Sequence, residues 1–237
     1  MKSEAKTEFS RTAAVIGEDG LNKLSKARVA VFGVGGVGGY VCESLARSGV
    51  GEIDLFDMDT VSLSNINRQI IALHSTIGRY KTEIMRERIS DINPDCTVNE
   101  HRVFYMPENA NEYDLSRYDF VVDAIDTVTA KIELAVRSTS LSVPFISCMG
   151  TGNKLDVSKL AIADISKTTV CPLARVMRRE LRLRGINHLS VLYSTEIPMT
   201  SGTDENGKKV PASTAFVPAA AGLMIGSHVV KTLLNRD

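Results

Sequence analysis

No Cys-x-x-Cys pair occurs in this chain, and its four cysteines, Cys42, Cys96, Cys148 and Cys171, stand far apart. That spacing speaks against a paired-cysteine zinc site and against a disulfide framework, and it suits a reducing compartment. Net charge is missing too, since lysine plus arginine and aspartate plus glutamate each total 28. No global field therefore advertises nucleic acid or membrane, although a local basic face survives such averaging. The N-terminus has no apolar signal core, which predicts a cytoplasmic protein. Ala215 to Leu234 is the one long apolar stretch. Ser227, His228 and Lys231 break it, so it reads as a buried core helix and not a membrane span. His74, His101, His188 and His228 show no ligand spacing. Internal repeats and low-complexity tracts are absent.

What is present suffices for one substantial core: 237 residues, 43% of them hydrophobic. A single domain over 1–237 is expected. Apolar, β-branched runs at Arg28–Phe32, Glu52–Asp57, Thr97–Val103, Phe120–Ile125 and Pro144–Met149 alternate with helical segments. The helices are expected from the glycines to about Ser48, then over Arg79–Ile92 and Thr129–Ser140. This pattern predicts an α/β fold, a Rossmann-like, mostly parallel sheet with helices on both faces. Leu160–Ile165 and Ser190–Tyr193, with a helix over Pro172–Arg184, predict a mixed C-terminal extension of the same sheet. The nucleotide-binding half is placed at 28–150 and the substrate-side half at 151–237. Residues 200–213, rich in Gly, Ser, Thr, Asp and Lys, read as a mobile loop.

The chemistry starts after the first strand, in Gly33-Val34-Gly35-Gly36-Val37-Gly38. Glycines at a strand-to-helix turn let backbone amides approach a phosphate, and the helix N-terminus adds partial positive charge. Asp57 closes the second strand, where a carboxylate accepts hydrogen bonds from ribose hydroxyls. Gly33, Gly35, Gly36, Gly38 and Asp57 would serve NAD, FAD or ATP equally well. The polar tail separates them. Asn65, Arg68 and Lys81 exceed what a pyrophosphate needs, whereas a triphosphate attacked at phosphorus calls for several cationic groups and a metal. Arg68 offers a planar fork and Lys81 a point charge. Taken singly, each is also an ordinary surface side chain.

These residues, with Arg11 in Phe9-Ser10-Arg11 and Asp126 in Val122-Asp123-Ala124-Ile125-Asp126, make the chain resemble the ubiquitin-activating-enzyme superfamily of adenylate-forming enzymes over nearly its whole length. The resemblance implies ATP and Mg2+. It puts Gly36 against the nucleotide, Asp57 on ribose, and Asn65, Arg68 and Lys81 around the triphosphate. Asp126 would hold magnesium or orient the α-phosphate, and it equally suits a helix N-cap. Arg11 would act in trans from a second copy, which implies a homodimer. Arg11, Arg68, Lys81 and Asp126 form the implied catalytic set.

Within that superfamily the chain is most similar to the tRNA threonylcarbamoyladenosine dehydratases. The features are the missing zinc cysteines, Ile165-Ser166-Lys167-Thr168 before Cys171-Pro172-Leu173-Ala174, Ser194-Thr195-Glu196, and Phe216-Val217-Pro218 with Ala221-Gly222-Leu223. The implied substrate is tRNA bearing threonylcarbamoyladenosine, with a sulfur-transfer or desulfurase protein as a further partner and no membrane. Arg175, Arg178, Arg179 and Arg182 fall on one helical face, which suits tRNA phosphates and suits a solvated helix face equally. Cys171, before Pro172, is either an acyl-capturing thiol at a helix N-terminus or a packed cysteine, and the intramolecular reaction requires no thiol. Three other functions stay open on these residues: adenylation of the C-terminal glycine of a small ubiquitin-fold carrier, nicotinamide or flavin oxidoreduction, and nucleotide sensing without chemistry.

Overall fold

The computed structural model describes residues 7–199, 202–203, 209–210 and 212–236. Seven strands form one sheet: β1 (Arg28–Phe32), β2 (Glu52–Phe56), β3 (Thr97–His101), β4 (Phe120–Asp123), β5 (Phe145–Cys148), β6 (Leu160–Asp164) and β7 (Ser190–Ser194). Their order is β3-β2-β1-β4-β5-β7-β6. All pairings are parallel except β6 with β7, which is antiparallel. The expected α/β, Rossmann-like architecture is present, and the second half of the chain supplies β6 and β7 to the same sheet. Of the loop expected at 200–213, Gly202–Thr203 (β8) and Lys209–Val210 (β9) pair antiparallel. Residues 200, 201, 204–208 and 211 of that loop lie outside the described residues.

Alternation along β1 sends Val29 and Val31 into one core and Ala30 and Phe32 into the other. Helices α3 (Gly38–Arg47), α4 (Lys81–Ile92) and α7 (Phe216–Leu233) cover the first face. On the second lie α5 (Val128–Ser140) and α6 (Pro172–Arg182). Both faces of the parallel strands are buried, which is why β1 and β4 read as unbroken apolar runs. Because β2 and β4 flank β1 on opposite sides, the chain leaves β1 and β4 in diverging directions. A crevice opens between their carboxyl ends, where open α/β sheets bind ligands.

The apolar segment near the C-terminus is α7, packed on α3. A Cβ at Gly222 would fall 2.4 Å from the Val37 carbonyl, and one at Gly226 would fall 1.9 Å from Ser44 Oγ. The two helices therefore touch backbone to backbone, and Pro218 on α7 is carried to the glycine loop. The first two helices, α1 (Ser10–Ile16) and α2 (Glu18–Leu24), lie at the amino ends of the strands, where Phe9 and Leu21 approach Gly49.

Candidate active site

At the carboxyl end of β1, Gly33 takes a φ of 89°, and a Cβ there would meet the Ala124 carbonyl at 2.7 Å. Only glycine lets the β1 and β4 loops come this close. Gly38 has a different duty: its Cβ would overlap the Gly33 carbonyl at 1.7 Å. It is buried in the first turn of α3 and does not line the cleft. Gly35 and Gly36 line the cleft: a Cβ at Gly36 would crowd Pro218 at 3.3 Å and Arg68 at 3.4 Å, and one at Gly35 would meet Gln69 at 3.7 Å.

Asp57 closes β2. Its Oδ2 accepts the Val34 amide at 2.8 Å and its Oδ1 accepts the Asp59 amide at 2.9 Å. Burial pushes this carboxyl above its usual range, and Lys81 partly offsets the shift. Lys81 opens α4 and is itself buried, with Nζ 2.7 Å from Asp59 and 3.9 Å from Asp57. The cation is thus held at the cleft by two carboxylates. Arg68 is half-buried and uses Nη1 on the Ser64 carbonyl and Asn67 Oδ1, both at 2.9 Å. Asp126 is exposed at the mouth of β4. Helix α5 takes Thr127 as its N-cap residue, without a side-chain cap, so the Asp126 carboxylate is not spent on capping.

Gly33, Gly35, Gly36, Asp57, Arg68, Lys81 and Asp126 line one cleft of about 250 Å³. Asn65 does not line it. Its Oδ1 accepts the Ser62 amide and closes the turn that presents Arg68. Arg11 is exposed on α1, at the far end of the sheet, and lines no part of this cleft. The sequence reading passed over Gln69, which is buried with Oε1 unpartnered and Nε2 turned to Gly35. It also passed over Val103-Phe104-Tyr105, which form a wall with Phe56. An aromatic pair just beyond a strand was the available signal.

A second chamber of about 590 Å³ adjoins the first and shares Val37, Arg68, Asp126, Thr151 and Ser213 with it. Its walls include Lys154, Cys171 and residues 149–152, which follow β5. Cys171 is buried at the N-cap of α6, followed by Pro172. Val170 before it takes a φ of 61°, a strain on the order of 1–3 kcal/mol for a β-branched residue. Asn153 ties the rim together: its amide donates to the Ala212 carbonyl, its carbonyl accepts from Met199, and its Oδ1 accepts from Ala212.

The arginine face of α6 is less uniform than its spacing suggests. Arg178 Nη1 donates to the carbonyls of Ile165 and Thr168 and to Thr168 Oγ1, which fixes it to the protein. Arg179 pairs with Glu180 at 2.8 Å, while Arg175 and Arg182 are exposed. Among the described residues no cluster of three or more His, Cys, Asp or Glu side chains could hold a metal. Magnesium commonly takes one or two carboxylates plus phosphates and waters, so Asp126, which unlike Asp57 and Asp59 is not paired with Lys81, fits that ion.

A model of the ThiF family matches residues 9–237. The tRNA threonylcarbamoyladenosine dehydratase of Bacillus subtilis (strain 168) is 45% identical, covering 96% of this chain and 95% of its own length. A solved structure of the E. coli tRNA N6-threonylcarbamoyladenosine dehydratase in complex with ATP is 33% identical. It covers 97% of this chain and 94% of that one, with a TM-score of 0.88. The same E. coli protein in complex with AMP gives 34% identity, the same coverage and a TM-score of 0.89.

Proposed function

The chain belongs to the ThiF family, and on that footing we propose that its cleft adenylates the carboxylate of threonylcarbamoyladenosine in tRNA and so drives its dehydration. The observation that carries this is the pair of chambers joined through Arg68 and Asp126. One has the glycine loop, Asp57 and Lys81 for a nucleotide triphosphate, and the other is open for an acyl group.

A carboxylate is a poor acyl electrophile, because its oxygen would leave as hydroxide. Attack of that oxygen on the α-phosphorus expels pyrophosphate and turns the oxygen into part of an AMP leaving group. The ureido group of the same side chain then attacks the activated carbonyl, closing a ring and releasing AMP. Effective concentration replaces an enzyme nucleophile in this step. In balance, the nucleoside loses one water and its oxygen departs with AMP. Glycine-loop amides and Lys81 hold the triphosphate, Asp57 the ribose, and Arg68 meets charge that builds on the equatorial oxygens. Asp126 is the residue that would hold Mg2+, whose chemistry is to neutralise phosphate charge.

The reading is tested with α-labelled ATP: AMP should form with tRNA carrying threonylcarbamoyladenosine and not with tRNA lacking it. AMP formation driven by a small carrier protein instead would point to carrier activation, which nothing in the second chamber favours.

Two finer assignments follow. Arg11 lines no part of its own cleft, so it acts, on this reading, on the cleft of a second copy in a homodimer. Arg11→Ala and Arg68→Ala variants should each be inactive alone and recover part of the activity when mixed. No recovery on mixing would remove Arg11 from the trans role. Arg175 and Arg182 are exposed members of the α6 stripe that form no ion pair among the described residues, and they meet tRNA phosphates. Reversing both to Glu should raise KM for tRNA about tenfold and flatten its salt dependence by roughly one unit per lost contact. An unchanged salt slope would return the stripe to a solvated face. The sequence reading adds a cytoplasmic setting and a sulfur-transfer or desulfurase partner. Fractionation and co-purification test these two, and recovery with membranes or without any such protein would count against them.

A further inference from the structure

Lys154 lies in the wall of the second chamber and is 2% exposed. A lysine ammonium is strongly hydrated, and burying one is costly unless its donors find acceptors. Among the described residues it has one, the Glu196 backbone carbonyl, 3.0 Å from Nζ, and no carboxylate lies within ion-pair distance. Glu196 could have supplied that carboxylate. Its side chain instead accepts the amides of Leu155 and Asp156 at 3.0 Å, clamping the turn that carries Lys154. A buried cation is thus held in place by a neighbour whose negative charge is engaged elsewhere. The other lysine buried this deeply near the site, Lys131, pairs with Asp123. Burial lowers the pKa of Lys154, and nearby Cys171 and Glu196 only partly restore it.

We propose that Lys154 is the group that receives the substrate's carboxylate in the second chamber. The assignment rests on the adenylation reading above and names the substrate-side cation it lacks. The nucleophile is an anion that must approach a polyanionic triphosphate. Arg68 stands where the two chambers meet, and Lys154 is the second positive charge on the acyl side. An arriving carboxylate completes the ion pair that the fold leaves open, and it positions its own oxygen for attack.

The test crosses the charge on the protein with the charge on the ligand. Binding of threonylcarbamoyladenosine and of its methyl ester to the full chain is measured by calorimetry in the presence of a non-hydrolysable ATP analogue. The wild type should prefer the acid by roughly 10- to 150-fold, the range for a hydrogen bond to a charged group. Lys154→Gln retains a donor for the Glu196 carbonyl but no charge, and it should erase the preference. Lys154→Arg should keep part of it. Affinity for the ATP analogue alone should stay within about twofold in both variants, as expected for groups that share no contact. Lys154→Gln binding acid and ester with the wild-type ratio would overturn the proposal, as would a wild type indifferent to the ester. Because no turnover is needed, these outcomes are separate from failure of the wild type to form AMP on modified tRNA, which would overturn the dehydratase reading instead.

Discussion

Lys131→Met should lose about 3–5 kcal/mol of unfolding free energy, the cost of stranding one partner of a buried ion pair. Lys131 and Asp123 are both fully buried and 2.9 Å apart. Asp123 also accepts Ser147 Oγ at 2.5 Å and the Ile125 amide at 3.1 Å, and Lys131 donates to the Ile125 carbonyl at 3.1 Å. Removing the ammonium leaves a carboxylate with no counter-charge in the core of the sheet. It also frees the Ile125 carbonyl, one residue before Asp126, so the rate of AMP formation should fall along with stability. The double variant Lys131→Met/Asp123→Leu separates the two effects. An apolar replacement of both partners is often neutral or stabilising, so most of the stability should return, while the turn that aims Asp126 stays loose and the rate stays low. Urea unfolding and AMP release measure the two quantities. A single variant within about 1 kcal/mol of wild type would show that the pair carries little of the fold.

Arg68→Ala should have the opposite profile. Among the described residues its guanidinium donates to the Ser64 carbonyl and the Asn67 amide oxygen, both exposed hydrogen bonds. Stability should therefore stay within about 1 kcal/mol of the wild type. AMP formation should drop by roughly 10²–10³-fold, the usual loss when one group stabilising transition-state charge is removed. ATP affinity should weaken far less, because the glycine loop and Lys81 remain. Arg68→Lys restores charge without the planar fork and should recover only part of the rate. Equal losses in ATP affinity and in rate would make Arg68 a ground-state binder of triphosphate and nothing more.

Much of the first chamber was readable because its parts are short and local. A glycine loop after a β-branched strand, an acid closing the next strand and a polar run behind it each occupy a few consecutive residues. The sheet then brings those strand ends together. Roles within the motif were less readable. Gly38 and Asn65 sit in the pattern, yet the first serves packing against the Gly33 carbonyl and the second closes a turn. Spacing gave Arg178 the same face as Arg175, but it could not show that Thr168 and Ile165 hold its guanidinium. The least readable residues carry charge into the interior. Lys131 in a mixed helix and Lys154 in a Gly-Asn-Lys turn look like solvated lysines in sequence, and only the packing of β4, β5 and their loops buries them. Gln69 belongs with these. Its carbonyl oxygen is buried without a partner among the described residues at the cleft wall, a placement no local spacing shows.

The central claim is that this cleft uses ATP to take one water out of threonylcarbamoyladenosine. Its most direct test is the mass of that nucleoside, digested from modified tRNA after incubation with the protein, ATP and magnesium. The account predicts a product lighter by one water, formed in step with one AMP per nucleoside and absent when ATP is withheld. An unchanged nucleoside, with ATP consumed or not, would contradict it.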